Sequence, residues 1–326
     1  MDAAAEALVA LGRRTRDLIR AGMRGDDGRL AAPAGQGVGD LQYALDVLVE
    51  EDLVAAAGEL FAGQGPLRLL SEGLSAEGET VLAGEGGRLL VVDPIDGTRG
   101  LMHDKRSAFF LAALVPDGPA PRLREVTHAC LLELPCTRSH LCDVMVVSPD
   151  AGLEAWTEDL ESGARTALAT RPSDATGLAH GFATVSRFFG GAGAQLGAFQ
   201  DALLQELMPD DPDAWMGIFE DQYICNGGQM HALITGRDRF VADLRPLFRR
   251  TDGGPLMCSH PYDVLALPIA EAAGVVITDP SGAPLDTPLD LHTDVAWIGY
   301  ASSALRANVE PAVRAALAKV SSTDRP

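Results

Sequence analysis

Aromatic residues make up only 5% of this 326-residue chain, and its five cysteines include no Cys-x-x-Cys pair. Few and odd-numbered cysteines in a long chain exclude a secreted disulfide framework, so the thiols are expected to be reduced. Cys130, Cys136 and Cys142 lie near His128 and His140, but their spacing fits no common zinc module, and burial is the expectation for them. No apolar run approaches the roughly 20 residues of a membrane span. The opening Met1-Asp2-Ala3-Ala4-Ala5-Glu6 has no basic stretch followed by an apolar one, so a cytoplasmic protein with no membrane partner is expected. Basic residues are outnumbered 26 to 46, a net charge of −20, which gives no general attraction to polymeric nucleic acid or anionic lipid. An acidic protein can still hold a phosphate if divalent cations sit between the two negative partners.

What the chain does have is apolar material: 47% hydrophobic residues against 22% charged, ample for one large core or two coupled ones. Helical spacing of Leu8, Leu11, Leu18 and Ile19 predicts an amphipathic helix over residues 4–23. A Gly, Pro and Ala-rich stretch, 25–39, reads as a mobile loop expected to close over a bound ligand. A second helix is predicted from about 41 to 61, with Val47, Leu48, Leu53 and Leu60 inward, Glu50, Glu51 and Glu59 outward, and Asp46 in its first turn. Short apolar runs then follow at 67–70, 89–92, 109–115, 129–134 and 143–147, separated by turn signals, and predict a largely antiparallel sheet. The polar stretch 150–180 reads as the passage from an α+β half, 1–150, to an α/β half, 151–326. In that second half, helices are predicted over 199–208, 229–235 and 303–320, and strands over 240–243, 275–278 and 294–300.

The densest chemical signal is Leu89-Leu90-Val91-Val92-Asp93-Pro94-Ile95-Asp96-Gly97-Thr98, an apolar strand running into two carboxylates, a glycine and a hydroxyl. Pro94 restricts the turn and Gly97 permits a sharp one, so Asp93 and Asp96 can converge. Oxygen donors so placed suit a hard cation such as Mg²⁺, while the same run also reads as an ordinary strand-to-turn. Backbone N–H groups after Gly97 can hold phosphate oxygens if a helix begins there. Asp263, after His260-Pro261-Tyr262, can cap the helix that follows, which Pro268 would kink or shorten.

Asp93 to Thr98 matches the DPIDGT signature of the inositol monophosphatase and fructose-1,6-bisphosphatase superfamily. Three further stretches agree with that family in order and approximate spacing. Leu69-Leu70-Ser71-Glu72 resembles its strand ending in a metal-binding glutamate. Asp40 to Asp46 resembles its helix-aspartate segment, with Tyr43 in place of threonine and no upstream lysine. Tyr262-Asp263 with Glu271-Ala272-Ala273-Gly274 resembles its WD…EAGG ending, with tyrosine for tryptophan. The resemblance implies a layered αβαβα sandwich and a phosphatase of small phosphate monoesters, with homodimers common. It implies two or three Mg²⁺ ions held by Glu72, Asp93, the Ile95 carbonyl, Asp96 and Asp263, with Asp46, Thr98 and Glu72 catalytic. Glu72 alone also reads as a solvated acid, and Asp46 alone as an acid favoured at a helix start.

Substrate choice divides the family. Arg99-Gly100-Leu101-Met102 and Val185-Ser186-Arg187 are closer to the 3′(2′),5′-bisphosphate nucleotidase branch, and Arg99 could meet a second anion. Asn226-Gly227-Gly228-Gln229 stands where the family has Gly-Ser/Thr-Ala near the substrate hydroxyls, Asp243 approximately matches a substrate-binding acid, and 245–259 is a hydrophilic insertion. The substrate-binding set expected is therefore Gly97, Thr98, Arg99, Arg187, Gly228, Gln229 and Asp243. With so few aromatics to form an adenine slot, a sugar or polyol phosphate leads, a bisphosphate nucleotide is second, and an inactive scaffold of the same fold is third.

Overall fold

The structure, a computed structural model, describes residues 1–24, 29–36, 41–72, 74, 78–84 and 86–323. Helix α1 (Ala3–Met23) begins at Asp2, whose carboxylate accepts the Ala5 N–H at 2.8 Å and so satisfies one of the donors a helix start leaves open. Residues 25–28 and 37–39 of the expected loop lie outside the described residues. Its middle forms a 3₁₀ turn, Arg29–Ala31, and strand β1 (Pro33–Gln36), which pairs antiparallel with β2 (Leu41–Tyr43). Helix α2 (Ala44–Leu60) therefore starts three residues later than its periodicity predicts, because residues 41–43 are held in that strand pair.

Strands β3 (Leu67–Leu70), β4 (Glu79–Ala83), β5 (Arg88–Asp96), β6 (Ala108–Pro116), β7 (His128–Leu134), β8 (Leu141–Ser148), β9 (Gly152–Asp159) and β10 (Arg165–Ala167) form an eight-stranded sheet. Its order is β10-β9-β8-β7-β6-β5-β3-β4, antiparallel except for the parallel pair β3 and β5. The polar stretch after 150 thus extends this sheet instead of leaving it. Glu154, Thr157 and Glu158 dilute the apolar pattern of β9, although Leu153 and Ala155 still pack on the core.

A five-stranded mixed sheet, order β12-β11-β13-β15-β14, uses β11 (Gly181–Val185), β12 (Ile218–Phe219), β13 (Asp238–Asp243), β14 (Val276–Thr278) and β15 (Trp297–Tyr300). The remaining helices are the short α3 (Thr98–Leu101), α4 (Gly193–Leu207), α5 (Asn226–Ile234), α6 (Leu267–Ala272) and α7 (Ser303–Thr323). Pro268 sits in the first turn of α6, where its missing N–H is not needed.

Period-two alternation builds the layers. Leu90 and Val92 of β5 share one core with Leu8 and Leu11 of α1 and Leu45 and Leu53 of α2, whereas Leu89 and Val91 face a second core with Met230 of α5 and Ile269 of α6. Val241 and Trp297 of the smaller sheet close that second core from the far side. Phe240 and Tyr300 point oppositely, into a third core with Phe199 of α4 and Leu305 and Val309 of α7. The order is helices, large sheet, helices, small sheet, helices: the αβαβα sandwich expected. Cys130 and Cys142 lie buried in the first core, and no described helix is long and apolar enough to cross a membrane.

Candidate active site

Asp93 and Asp96 are three apart, and in a regular strand they would point to opposite faces. The pairing of β5 with β6 shows how they meet: Asp93 is opposite Leu111 and Asp96 opposite Phe109, so β5 carries one extra residue there. Such a bulge re-aims the side chains that follow it. The parallel partner β3 stays in register as far as Leu70 opposite Val91, so Glu72 is delivered beside Asp93. Asp263 comes from a 3₁₀ turn, Pro261–Val264, where its carboxylate accepts the His260 N–H instead of sitting at the cap position itself. Ligand oxygens of Asp93, Asp96 and Asp263 all lie within 4.8 Å of one another. Glu72 and Ile95 line the same cavity, of about 130 Å³.

Thr98 opens α3 directly after Gly97, whose φ of 99° and close approach to Cys225 require glycine: a Cβ there would meet Cys225 Cβ at 3.0 Å. The Thr98 hydroxyl lies 2.8 Å from Asp46 Oδ1 and 2.9 Å from the Ile95 carbonyl oxygen, and can donate to either. Asp46 Oδ2 accepts the Tyr43 N–H at 2.8 Å, which fixes its rotamer. Helix α5 clamps Asp96 from the other side. The Gly227 N–H donates to Asp96 Oδ2, and the Cys225 thiol lies 3.1 Å from the Asp96 carbonyl oxygen.

Crowding acids without a cation has a cost. Burial, then the charges of Asp96, Asp263 and Glu72, raise Asp93 well above the ordinary carboxylate range, and burial followed by Asp96 does the same to Asp263. Burial lifts Asp96 to about 6, against the Gly227 and Cys225 hydrogen bonds that pull it down. Glu50, expected to face outward, lines the cavity one turn beyond Asp46, and burial with the charges of Asp46 and Glu72 raises it to about 7. Oxygen-only, like-charged and mutually repelling donors fit a hard divalent cation, which Asp93, Asp96 and Asp263 could hold together, with Glu72 and the Ile95 carbonyl along the same cavity.

Carboxyls raised on folding contribute stability that is fully present below their unfolded values and is lost as pH rises through the folded ones. The chain without added metal is therefore expected to lose stability from about pH 4 to beyond pH 7, a window set by Asp96 at about 6 and Glu50 at about 7. Added Mg²⁺ should raise Tm more at pH 8 than at pH 5, because protons compete with it for the same oxygens. Thermal melts with Mg²⁺ or EDTA check this; a larger shift at pH 5 would contradict it.

The expected substrate residues divide. Gly97, Thr98 and Arg99 line the cavity, and the Arg99 guanidinium lies 5.7 Å from the Tyr43 ring centroid and 5.1 Å from that of Phe189. The structure does not bring the other four to it. Arg187 pairs with Glu220 and donates to Gln200 Oε1 at 2.6 Å. Gly228 gives Tyr223 room to pack, and Gln229 Nε2 donates to Tyr223 O at 3.1 Å and Ser186 Oγ at 3.2 Å. Asp243 is fully buried in a bidentate pair with Arg245, at 2.8 and 2.6 Å.

In place of these four, the cavity wall carries Asn226, from the stretch expected near the substrate hydroxyls, together with Arg245, Glu50, Phe188 and Phe189, which the sequence alone did not point to. For Glu50 a signal existed: four residues after Asp46, it shares that face of α2. For Phe188, Phe189 and Arg245, brought together from separate segments, there was none.

No protein-family model matches this chain, and no curated protein matches its sequence. Solved structures do match. An IMPase of Thermotoga maritima is 17% identical over 95% of this chain and 96% of its own, with a TM-score of 0.59. The extragenic suppressor protein SuhB of Bartonella henselae is 13% identical over 96% and 99%, at 0.62. Leishmania major fructose-1,6-bisphosphatase in its holo form is 16% identical over 96% and 92%, at 0.61. With the bulged β5, the five layers and the likeness along nearly the whole chain, this protein has the fold of the inositol monophosphatase and fructose-1,6-bisphosphatase superfamily.

Proposed function

We propose that this protein is a Mg²⁺-dependent phosphomonoesterase acting on a small sugar or polyol phosphate. The observation that carries the reading is the convergence of Asp93, Asp96 and Asp263 within 4.8 Å, beside the hydrogen-bonded pair Thr98 and Asp46. Bound Mg²⁺ supplies charge neutralisation on the phosphate and a more acidic water. The protein's own groups do the rest. Glu72, Asp93, Asp96, Asp263 and the Ile95 carbonyl hold the ions. When Thr98 donates to Asp46, its oxygen is left to accept from the attacking water, and the Thr98–Asp46 pair orients that water and takes up its proton. Water oxygen bonds to phosphorus as the ester P–O bond breaks, and the alcohol leaves with a proton, giving inorganic phosphate.

Phosphate release from inositol 1-phosphate, fructose 1,6-bisphosphate and adenosine 3′,5′-bisphosphate, each with Mg²⁺ or EDTA, tests the proposal. Release from a sugar or polyol ester with Mg²⁺, abolished by EDTA, is the expected result, and release unaffected by EDTA would sink it. One observation favours the nucleotide as a second reading: Tyr43, Phe188, Phe189 and Tyr262 all line this cavity, so aromatics scarce in the chain are concentrated where a base would stack. A clear preference for the nucleotide bisphosphate would select it.

A further inference from the structure

Helix α5 has two successive glycines, Gly227 and Gly228, in its first turn, and its cap is a thiol: the Gly228 N–H donates to Cys225 Sγ at 3.2 Å. Each glycine costs a helix about 1 kcal/mol relative to alanine, and sulfur is a weak acceptor. At nine residues α5 is also shorter than the roughly 12–15 at which isolated helices become even marginal. Its placement therefore depends on tertiary contacts. That placement matters because the Gly227 N–H donates to Asp96 Oδ2. The approach is close: a Cβ on Gly227 would meet Phe109 Cβ at 2.9 Å and Asp96 Oδ2 at 3.1 Å.

One turn further along the same face of α5, the buried His231 sets its Nε2 2.8 Å from Asp143 Oδ2 of β8. Asp143 is itself fixed, since its Oδ1 accepts the Thr157 hydroxyl at 2.6 Å and its backbone N–H donates to Glu133 Oε2 at 3.2 Å. The Arg237 guanidinium faces the other ring nitrogen, Nδ1, at 3.4 Å. A guanidinium can only donate, so Nδ1 bears the lone pair and Nε2 the proton that Asp143 accepts. The imidazole also lies 5.2 Å from the ring of Phe109, the residue opposite Asp96 in the β5–β6 pair. Helix α5 is thus tied to the eight-stranded sheet through Asp96 at its start and through Asp143 toward its end.

We propose that His231 is a positioning residue: its Nε2–H, held by Asp143, keeps α5 seated on the large sheet, so that the Gly227 N–H stays on Asp96 and aims that carboxylate into the cluster. This rests on the phosphatase reading above. Groups that hold a metal-binding carboxylate in place affect cation affinity about as strongly as 10–100-fold without touching the cation.

Calorimetric Mg²⁺ binding and hydrogen exchange of residues 225–234, both on the full chain without substrate, test the assignment in wild type, His231→Phe, His231→Gln and Asp143→Ala. Phenylalanine keeps a ring against Phe109 and loses the N–H, whereas the glutamine amide can donate from near the Nε2 position. Asp143→Ala removes the acceptor from the sheet side and serves if His231→Phe does not fold. His231→Phe and Asp143→Ala are expected to bind Mg²⁺ about tenfold more weakly and to exchange 225–234 at least about tenfold faster, with α7 exchanging as in wild type. His231→Gln should stay within about threefold of wild type in both readouts. Wild-type affinity and exchange in the folded variants, equal acceleration in α7, or a glutamine variant as impaired as the phenylalanine one overturns the assignment and leaves the phosphatase reading standing. A wild type that binds no Mg²⁺ overturns both.

Discussion

Asp93→Asn is expected to lower Mg²⁺-dependent phosphate release by at least about a thousandfold, while making the metal-free protein more stable. The two effects share one cause. Asp93 is buried against Asp96, Asp263 and Glu72, and its charge is repelled by all three. The amide keeps the size and removes that repulsion, so the melting temperature in EDTA should rise, by the equivalent of about 1–3 kcal/mol. The same change weakens cation binding, so the Mg²⁺-induced shift in Tm should largely disappear. Turnover like wild type would refute the site assignment. Lost turnover with a full Mg²⁺ shift would instead confine Asp93 to a role after metal binding.

Arg245→Met is expected to have the largest effect on stability. Asp243 is fully buried and Arg245 is 3% exposed, and two hydrogen bonds join them. Arg245 also donates to Met257 O at 2.7 Å and lies over Phe188, with 4.6 Å between guanidinium carbon and ring centroid. Methionine can occupy the space over the ring but leaves the buried carboxylate without its counter-charge, a loss of about 3–5 kcal/mol. Urea denaturation measures it. Adding Asp243→Asn should recover part of the loss, because the unpaired charge, and not the missing volume, is the main cost. A double variant no more stable than Arg245→Met would show that packing dominates.

The carboxylate end of the site was legible in the chain because each acid there is tied to a local feature. Asp93 and Asp96 end an apolar strand, Glu72 follows another, and Asp46 lies in a helix first turn. Strand runs at 67–70, 89–92, 109–115 and 129–134 fall within β3, β5, β6 and β7, because strands buried on both faces are continuously apolar. Strands β4, β9 and β10 gave no such signal: β4 and β10 are sheet edges, and all three are partly solvated and mix in polar residues.

Periodicity says which residues share a face, but not what that face will meet. Glu50 counted as outward on the α2 pattern, yet the outward side beyond Asp46 looks into the cavity, and burial there lifts the carboxyl to about 7. Arg187 and Asp243 looked available for substrate, but Arg187 is held by Gln200 and Glu220 from other segments and Asp243 by Arg245 two residues on, whose guanidinium is buried against it. The sequence by itself determined which carboxylates converge and the strands that deliver them, since a strand end, a turn and a helix start are written in a few consecutive residues. Only the tertiary structure decided the substrate side, where Asn226, Arg245, Phe188 and Phe189 meet from separate elements, because contacts across layers depend on packing that no local pattern records.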